Sequence, residues 1–309
     1  MRFLVTGASG FIGRALCRGL LERGHSVIGI VRQGRPDFAG VEWRAVGDIS
    51  QSTDWSPHLS GVERVIHLAA RAHRPGGGAG GEEPAAAAAL LRAAAKAGAR
   101  RFVQMSSIKA MGEETPQGAP LRPNDPPAPE DAYGRVKLAT ERALEAAARE
   151  DGCELVILRP PLVYGPGVKG NFRALLRLVA KGVPLPFAGV ENKRSLIFLE
   201  NLVDLAVLSA LHPAATHGLF LCRDGEDLST PELIRAIALG MGRRARLTRL
   251  PPAALSLARH IPGLGAPLSR LTLSLTVEDG ATRALLGWKP PFSSRAGLVA
   301  TARSFAERD

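Results

Sequence analysis

The chain has 309 residues, 45% of them hydrophobic, which is enough to bury a full core and argues against overall disorder. Its net charge is +11, yet 33 of its 40 basic residues are arginines dispersed without runs, and aromatics are only 5%. That pattern excludes a nucleic-acid stripe as the first reading and leaves solvated surface or an anionic, phosphate-bearing ligand.

Short β-rich runs alternate with longer helical patterns from the first residue. Strands are predicted over Arg2 to Thr6, Ser26 to Val31, Val41 to Val46, Arg64 to Leu68, Arg101 to Ser106 and Glu154 to Arg159. Crossover helices are predicted over Phe11 to Leu21, Pro84 to Ala97 and Asp131 to Arg149. Strand, helix, strand in repetition gives an α/β fold, a Rossmann-type doubly wound parallel sheet, because parallel neighbours need right-handed crossovers. Residues 75–83 read as a glycine-rich loop, and Ala85 to Ala89 offer a small-residue face for close helix packing, as across a homodimer, or a solvated surface.

After Pro160 proline and glycine become frequent, and helices are expected at about 171–181, 201–211, 231–241 and 295–306. Residues 1–160 therefore read as a dinucleotide-binding domain and 161–309 as a smaller C-terminal substrate-binding lobe, with strands in about 195–222 returning to the main sheet. Met1 to Val5 run straight into a glycine turn, so no signal peptide is expected. Residues 251–277 are apolar but broken by Arg259, His260, Pro262 and Arg270, so no membrane insertion is expected. Cys17, Cys153 and Cys222 lack metal-ligand spacing, and their odd number argues against a disulfide framework; no metal site is expected, and a reducing cytoplasm suits them.

Three groups of residues carry chemistry. Gly7, Gly10 and Gly13, directly after the first strand, let a backbone approach a pyrophosphate that the helix starting at Phe11 and Ile12 then stabilises. The second strand ends at Arg32 with no acid before Asp37, which favours NADP over NAD because an arginine there pairs with a 2′-phosphate, the alternative being an Arg32 that stacks on adenine and permits either. Asp48, beside Ile49, is placed to accept from the adenine amino group or to cap a loop. Leu68, Ala69 and Ala70 close the fourth strand with small residues over which a cofactor can pass, and His67 reads as a core or capping histidine.

Tyr133 and Lys137 are four apart on one helix face, so an ammonium can sit beside a phenol and support its use as acid and base. Ser107, at the end of the fifth strand, would hold the same substrate oxygen; Ser106 is its rival, and strand-end capping is the structural alternative for both.

With these residues in hand, the chain resembles the extended short-chain dehydrogenase/reductase family, in its nucleotide-sugar epimerase and dehydratase branch. The likeness also rests on Gly47-Asp48, His67 to Ala70, Arg159-Pro160 through Gly167, and Leu286-Gly287-Trp288-Lys289-Pro290. Within that branch it is most similar to a UDP-glucose 4-epimerase-like subgroup that includes 4-ketoreductases. The resemblance implies an NAD or NADP cofactor held also by Pro160, Tyr133 and Lys137. It implies a nucleotide-diphosphate sugar as partner, with Lys109, Asn171, Arg194 and Arg270 toward the sugar and diphosphate and Phe187 near the base. Two departures stand out: Leu162 replaces an asparagine of many epimerases, and Glu82-Glu83-Pro84 replaces the family's usual start of the fourth crossover helix. Dehydratases of the branch place an acid pair after the catalytic serine, where this chain has Ile108-Lys109, so hydride transfer at C4, as epimerase or ketoreductase, is the expected reaction. A reductase of a non-sugar carbonyl and a non-catalytic nicotinamide sensor are the alternatives.

Overall fold

In the computed structural model, the structure describes residues 1–70, 81–251, 253, 254, 257 and 265–307. The first half alternates as read: β1 (Arg2–Thr6), α1 (Phe11–Glu22), β2 (Ser26–Val31), β3 (Val41–Ala45), β4 (Arg64–His67), α2 (Glu82–Lys96), β5 (Arg101–Met105), α3 (Ala132–Asp151) and β6 (Glu154–Arg159). The second half contributes β7 (Leu162–Tyr164), α4 (Gly170–Ala180), β8 (Leu196–Phe198), α5 (Leu199–Leu211), β9 (Leu219–Leu221) and α6 (Thr230–Gly240). It ends with α7 (Gly265–Thr272), α8 (Gly280–Leu286) and α9 (Ser294–Ala306).

Seven parallel strands form one sheet in the order β3-β2-β1-β4-β5-β6-β9, the doubly wound arrangement. Its inner strands are continuous apolar runs because both faces are covered: Phe3, Leu4 and Val5 of β1 are all fully buried. On one face α1 and α5 pack around Leu16, Leu20, Leu202 and Leu205; on the other α2 and α3 pack around Leu90, Leu91 and Leu144. The alanine run of α2 is used inside the chain, where Ala87 and Ala88 are buried in the core shared with α3.

Two sequence expectations are corrected. Helix α2 begins at Glu82 rather than Pro84, because two acids suit the positive end of a helix and a proline is tolerated in its first turn. Of the two later strands expected in the main sheet, only Leu219–Leu221 joins it, beside β6. Leu196–Phe198 instead pairs with β7 in a separate two-stranded sheet. That sheet starts the lobe, whose core gathers Tyr164, Phe172, Leu176, Phe187, Phe198, Ile234 and Leu298. Residues 75–80 of the glycine-rich loop lie outside the described residues, as do Arg259 and His260. Among the described residues no helix is long and apolar enough to cross a membrane.

Candidate active site

The strand order reverses between β1 and β4, and at that switch point a cavity of about 450 Å³ opens over the carboxyl ends of the strands. Gly7 and Gly10 line its floor, Leu68, Ala69 and Ala70 one wall, and Arg32, Asp48 and Ile49 one end, while Glu83 lines it from α2. Its glycines are required by contact. A Cβ on Gly13 would lie 2.2 Å from the Gly7 carbonyl oxygen, and one on Gly7, whose φ is +65°, would lie 3.0 Å from the Ala69 nitrogen. With no side chain at Gly10 capping α1, the helix N-terminus is open toward an anion. The cavity thus suits a dinucleotide: Gly7 and Gly10 would receive its pyrophosphate, and Arg32 and Asp48 its adenosine end.

Phe11, Ile12 and Gly13 stand behind this floor; Phe11 and Ile12 pack half-buried against the core, and Gly13 brings α1 onto the turn. Arg32 Nε lies 2.7 Å from an Asp48 carboxylate oxygen, so the two residues assigned separately to the adenosine end form an ion pair. Arg32 is 57% exposed on its side chain, which keeps a cation at the rim. Pro160 is buried after β6, and its carbonyl accepts from the Ile108 amide at 3.0 Å, fixing the segment that follows Ser107.

The wall at β4 is held by a side chain that the sequence reading did not single out. The Thr6 hydroxyl oxygen accepts from the Leu68 and Ala69 amides at 3.2 and 3.1 Å and lies 2.7 Å from His67 Nδ1. Having accepted twice, it donates to Nδ1, which assigns His67 the neutral form protonated on Nε2. Burial, reinforced by the Lys137 charge, pulls His67 down to about 3. His67 is therefore a structural residue, neutral throughout the working range.

Lys137 and Tyr133 meet as their spacing requires, with Nζ 5.6 Å from the centre of the phenol ring. Lys137 is almost wholly buried, and the charge that permits this comes from Glu83, whose Oε1 is 3.0 Å from Nζ. Glu83 was visible in the sequence as part of a departure from the family pattern, and the fold turns that departure into a contact with Lys137. Because Glu83 also lines the cavity, it links the cavity to the Tyr133–Lys137 pair.

The two serines separate cleanly. Ser106 is buried and donates to Glu141, which is itself held by Arg159 through Nε at 2.9 Å, so Ser106 belongs to a closed ion-pair network. Ser107 is half-buried, and its Oγ accepts from the Lys109 amide at 3.2 Å, capping a short 3₁₀ turn over Ile108–Ala110. The capping role and an outward hydroxyl are compatible, because the cap uses Oγ as acceptor only.

On the substrate side, Lys109 reaches across to Asp131 and Glu113, at 2.5 and 2.8 Å, and so ties this turn to the start of α3. Asn171 is exposed in the first turn of α4. Phe187 is 4% exposed and packed in the lobe core. Arg194 donates to the Leu273 carbonyl at 3.0 Å; burial and the neighbouring Arg270 charge pull it down to about 10, partly offset by Glu113. It remains a cation at neutral pH, and two guanidinium groups held near each other favour an anion between them.

Comparison with known proteins agrees with this geometry. A family model described as the NAD dependent epimerase/dehydratase family matches residues 3–219. A Vibrio cholerae protein named UDP-glucose 4-epimerase is 39% identical over 313 residues, covering 98% of this chain and 95% of that protein. Among solved structures, MoeE5 in complex with UDP-glucuronic acid and NAD is 25% identical, with a TM-score of 0.79 and 99% of each chain covered. The UDP-glucose 4-epimerase of Thermotoga maritima shares the fold at 24% identity, with the same TM-score and coverage.

Proposed function

The chain belongs to the NAD dependent epimerase/dehydratase family, and from that premise we propose that it transfers hydride at C4 of a nucleotide-diphosphate sugar. The observation that carries the reading is the buried Lys137 beside Tyr133, joined through Glu83 to the cavity over the glycine turn. Bound in that cavity, a nicotinamide cofactor supplies the hydride acceptor or donor. Tyr133 takes the proton of the C4 hydroxyl when the carbon is oxidised and returns one when it is reduced, and Ser107 donates to the same oxygen. Lys137 stands beside the phenol ring and is itself kept in place by Glu83.

A diphosphate substrate is supported by Arg194 and Arg270, whose mutual repulsion a bound dianion would relieve, with Asn171 at the start of α4. The apolar lobe that a steroid or ketoacid reductase needs is not what two arginines provide. A uracil base is the reading that the relatives support, although Phe187 lies inside the lobe core and would have to offer an edge rather than a face. Elimination of water is disfavoured, because the position after Ser107 is the buried Ile108 and Lys109 is occupied by Asp131 and Glu113.

Two outcomes of the same chemistry are separated by the cofactor. The Vibrio cholerae relative supports a 4-epimerase and the family model an NAD cofactor, whereas Arg32 at the adenosine end supports NADP and a one-way 4-ketoreductase. The purified protein should be denatured and the released nucleotide identified, and the native protein assayed with UDP-glucose and with a UDP-4-keto sugar. Retained NAD with interconversion of C4 epimers supports the first; NADPH-dependent reduction supports the second. In either case Tyr133→Phe should lose about 10²–10⁴-fold in turnover while still binding cofactor. Turnover by neither route, or full activity in Tyr133→Phe, would overturn the assignment.

A further inference from the structure

The charge that looks dispersed in sequence is segregated in the fold. Residues 155–190 and 233–277 together carry twelve Lys and Arg and no Asp or Glu, so the rest of the chain is within one charge of neutral. The structure brings the two stretches together between the end of α4 and the segment after α6. Leu185 bridges to Leu247, and the guanidinium groups of Arg243 and Arg246 donate to the carbonyls of Ala180, the last residue of α4, and Gly182, just beyond it.

Around that junction Arg177, Lys181, Arg243, Arg244, Arg246 and Arg249 are exposed, and among the described residues none of them is ion-paired to a carboxylate. None lines the cavity over the glycine turn, so the proposed reaction does not use them. Aliphatic side chains stand exposed on the same elements: Leu178 at 39%, Val183 at 40%, Leu239 at 52% and Leu250 at 42%. Such a combination has a specific chemical match. Cations bind lipid phosphates while leucines enter the boundary between headgroups and acyl chains. Single-stranded nucleic acid would instead call for stacking aromatics, yet Tyr164, Phe172 and Phe187, the aromatics of these stretches, are all buried.

We propose that this face of the C-terminal lobe seats the protein peripherally on an anionic lipid surface. The contact does not span the bilayer and leaves the active-site cavity on a different part of the molecule.

The test is co-sedimentation of the full chain with vesicles of phosphatidylcholine alone and of phosphatidylcholine with phosphatidylglycerol, at low and raised salt. A variant carrying Arg177→Ser, Lys181→Ser, Arg244→Ser and Arg249→Ser removes charge but keeps Arg243 and Arg246, whose bonds hold the junction. A second, Leu250→Ser, removes one apolar anchor. The unmodified protein should pellet only with phosphatidylglycerol and release with salt, the four-site variant should bind about a hundredfold more weakly, and Leu250→Ser should bind several-fold more weakly with its salt sensitivity intact. The proposal is overturned by no binding to anionic vesicles, by equal binding to phosphatidylcholine alone, or by salt-sensitive binding to RNA or DNA without vesicle binding. Full vesicle binding by a four-site variant with unchanged far-UV circular dichroism overturns it equally. If that variant fails to fold, the lipid and salt dependence of the unmodified protein still decides.

Discussion

Lys137 is the residue on which the site turns, and its burial at 2% side-chain exposure needs a compensating charge. Glu83 provides it from the first turn of α2, itself only 10% exposed. Glu83→Gln keeps the shape and removes the charge, leaving a buried ammonium without its carboxylate, a change that typically costs about 3–5 kcal/mol. The cofactor-free variant should therefore unfold at distinctly lower denaturant, and its turnover should fall while Glu83→Asp recovers part of both. Denaturant unfolding and steady-state kinetics check this; equal stability of the Gln variant would show that the pair contributes nothing. Sequence spacing made Tyr133 and Lys137 legible, because four residues of helix fix their side. It left Glu83 as an unexplained departure, because 54 residues separate it from Lys137 and only the seating of α2 against α3 brings them together.

The 3₁₀ turn that follows Ser107 packs on the first turn of α3, which carries Tyr133, and the joint is glycine. Asp131 caps α3 by accepting from the Gly134 amide at 2.7 Å while its other oxygen binds Lys109. A Cβ on Gly134 would fall 2.2 Å from the Lys109 carbonyl oxygen, so the 3₁₀ turn after Ser107 and the first turn of α3 touch backbone to backbone. Gly134→Ala forces them apart and should cost about 1–3 kcal/mol, with a loss in kcat that exceeds any change in cofactor affinity. Calorimetric unfolding with a cofactor titration and kcat on the same preparation tests it; an alanine variant with native kcat would mean the joint does not set the serine-tyrosine distance. At this scale the long parallel strands were legible because burial on both faces leaves continuous apolar runs. Leu196–Phe198 was not assigned to its sheet, because three apolar residues declare a strand without declaring a partner. Gly134 was not legible either: its reason is a carbonyl 25 residues upstream.

Across the whole molecule, a buried carboxyl at Asp224 and an exposed helix-capping carboxyl at Glu232 answer to pH in opposite senses. Asp224, after β9, accepts from the Phe198 amide and the Asn201 side chain at 2.7 Å each and from the Tyr164 hydroxyl at 2.5 Å; burial raises its carboxyl despite these bonds. Glu232, capping α6, is lowered to about 2 by its bonds to Ser229. Glu232 therefore titrates well below the histidine window. His67 acts within that window: folded, its pKa is about 3 against an ordinary 6.5, so the unfolded chain binds a proton that the folded chain refuses. Its contribution is fully present above 6.5 and is lost as pH falls from 6.5 toward 3, at up to about 1.4 kcal/mol per pH unit. His25 and His58, also lowered by burial, add smaller changes of the same sign. His67→Asn retains an acceptor for the Thr6 hydroxyl and removes the titration, so subtracting its stability profile from that of the unmodified protein isolates this one group. Denaturant midpoints measured from neutrality down to about pH 5 should fall more steeply in the unmodified protein than in His67→Asn. Parallel profiles would mean that His67 takes up its proton in the folded state, and the hydrogen bond from Thr6 would then have to run the other way.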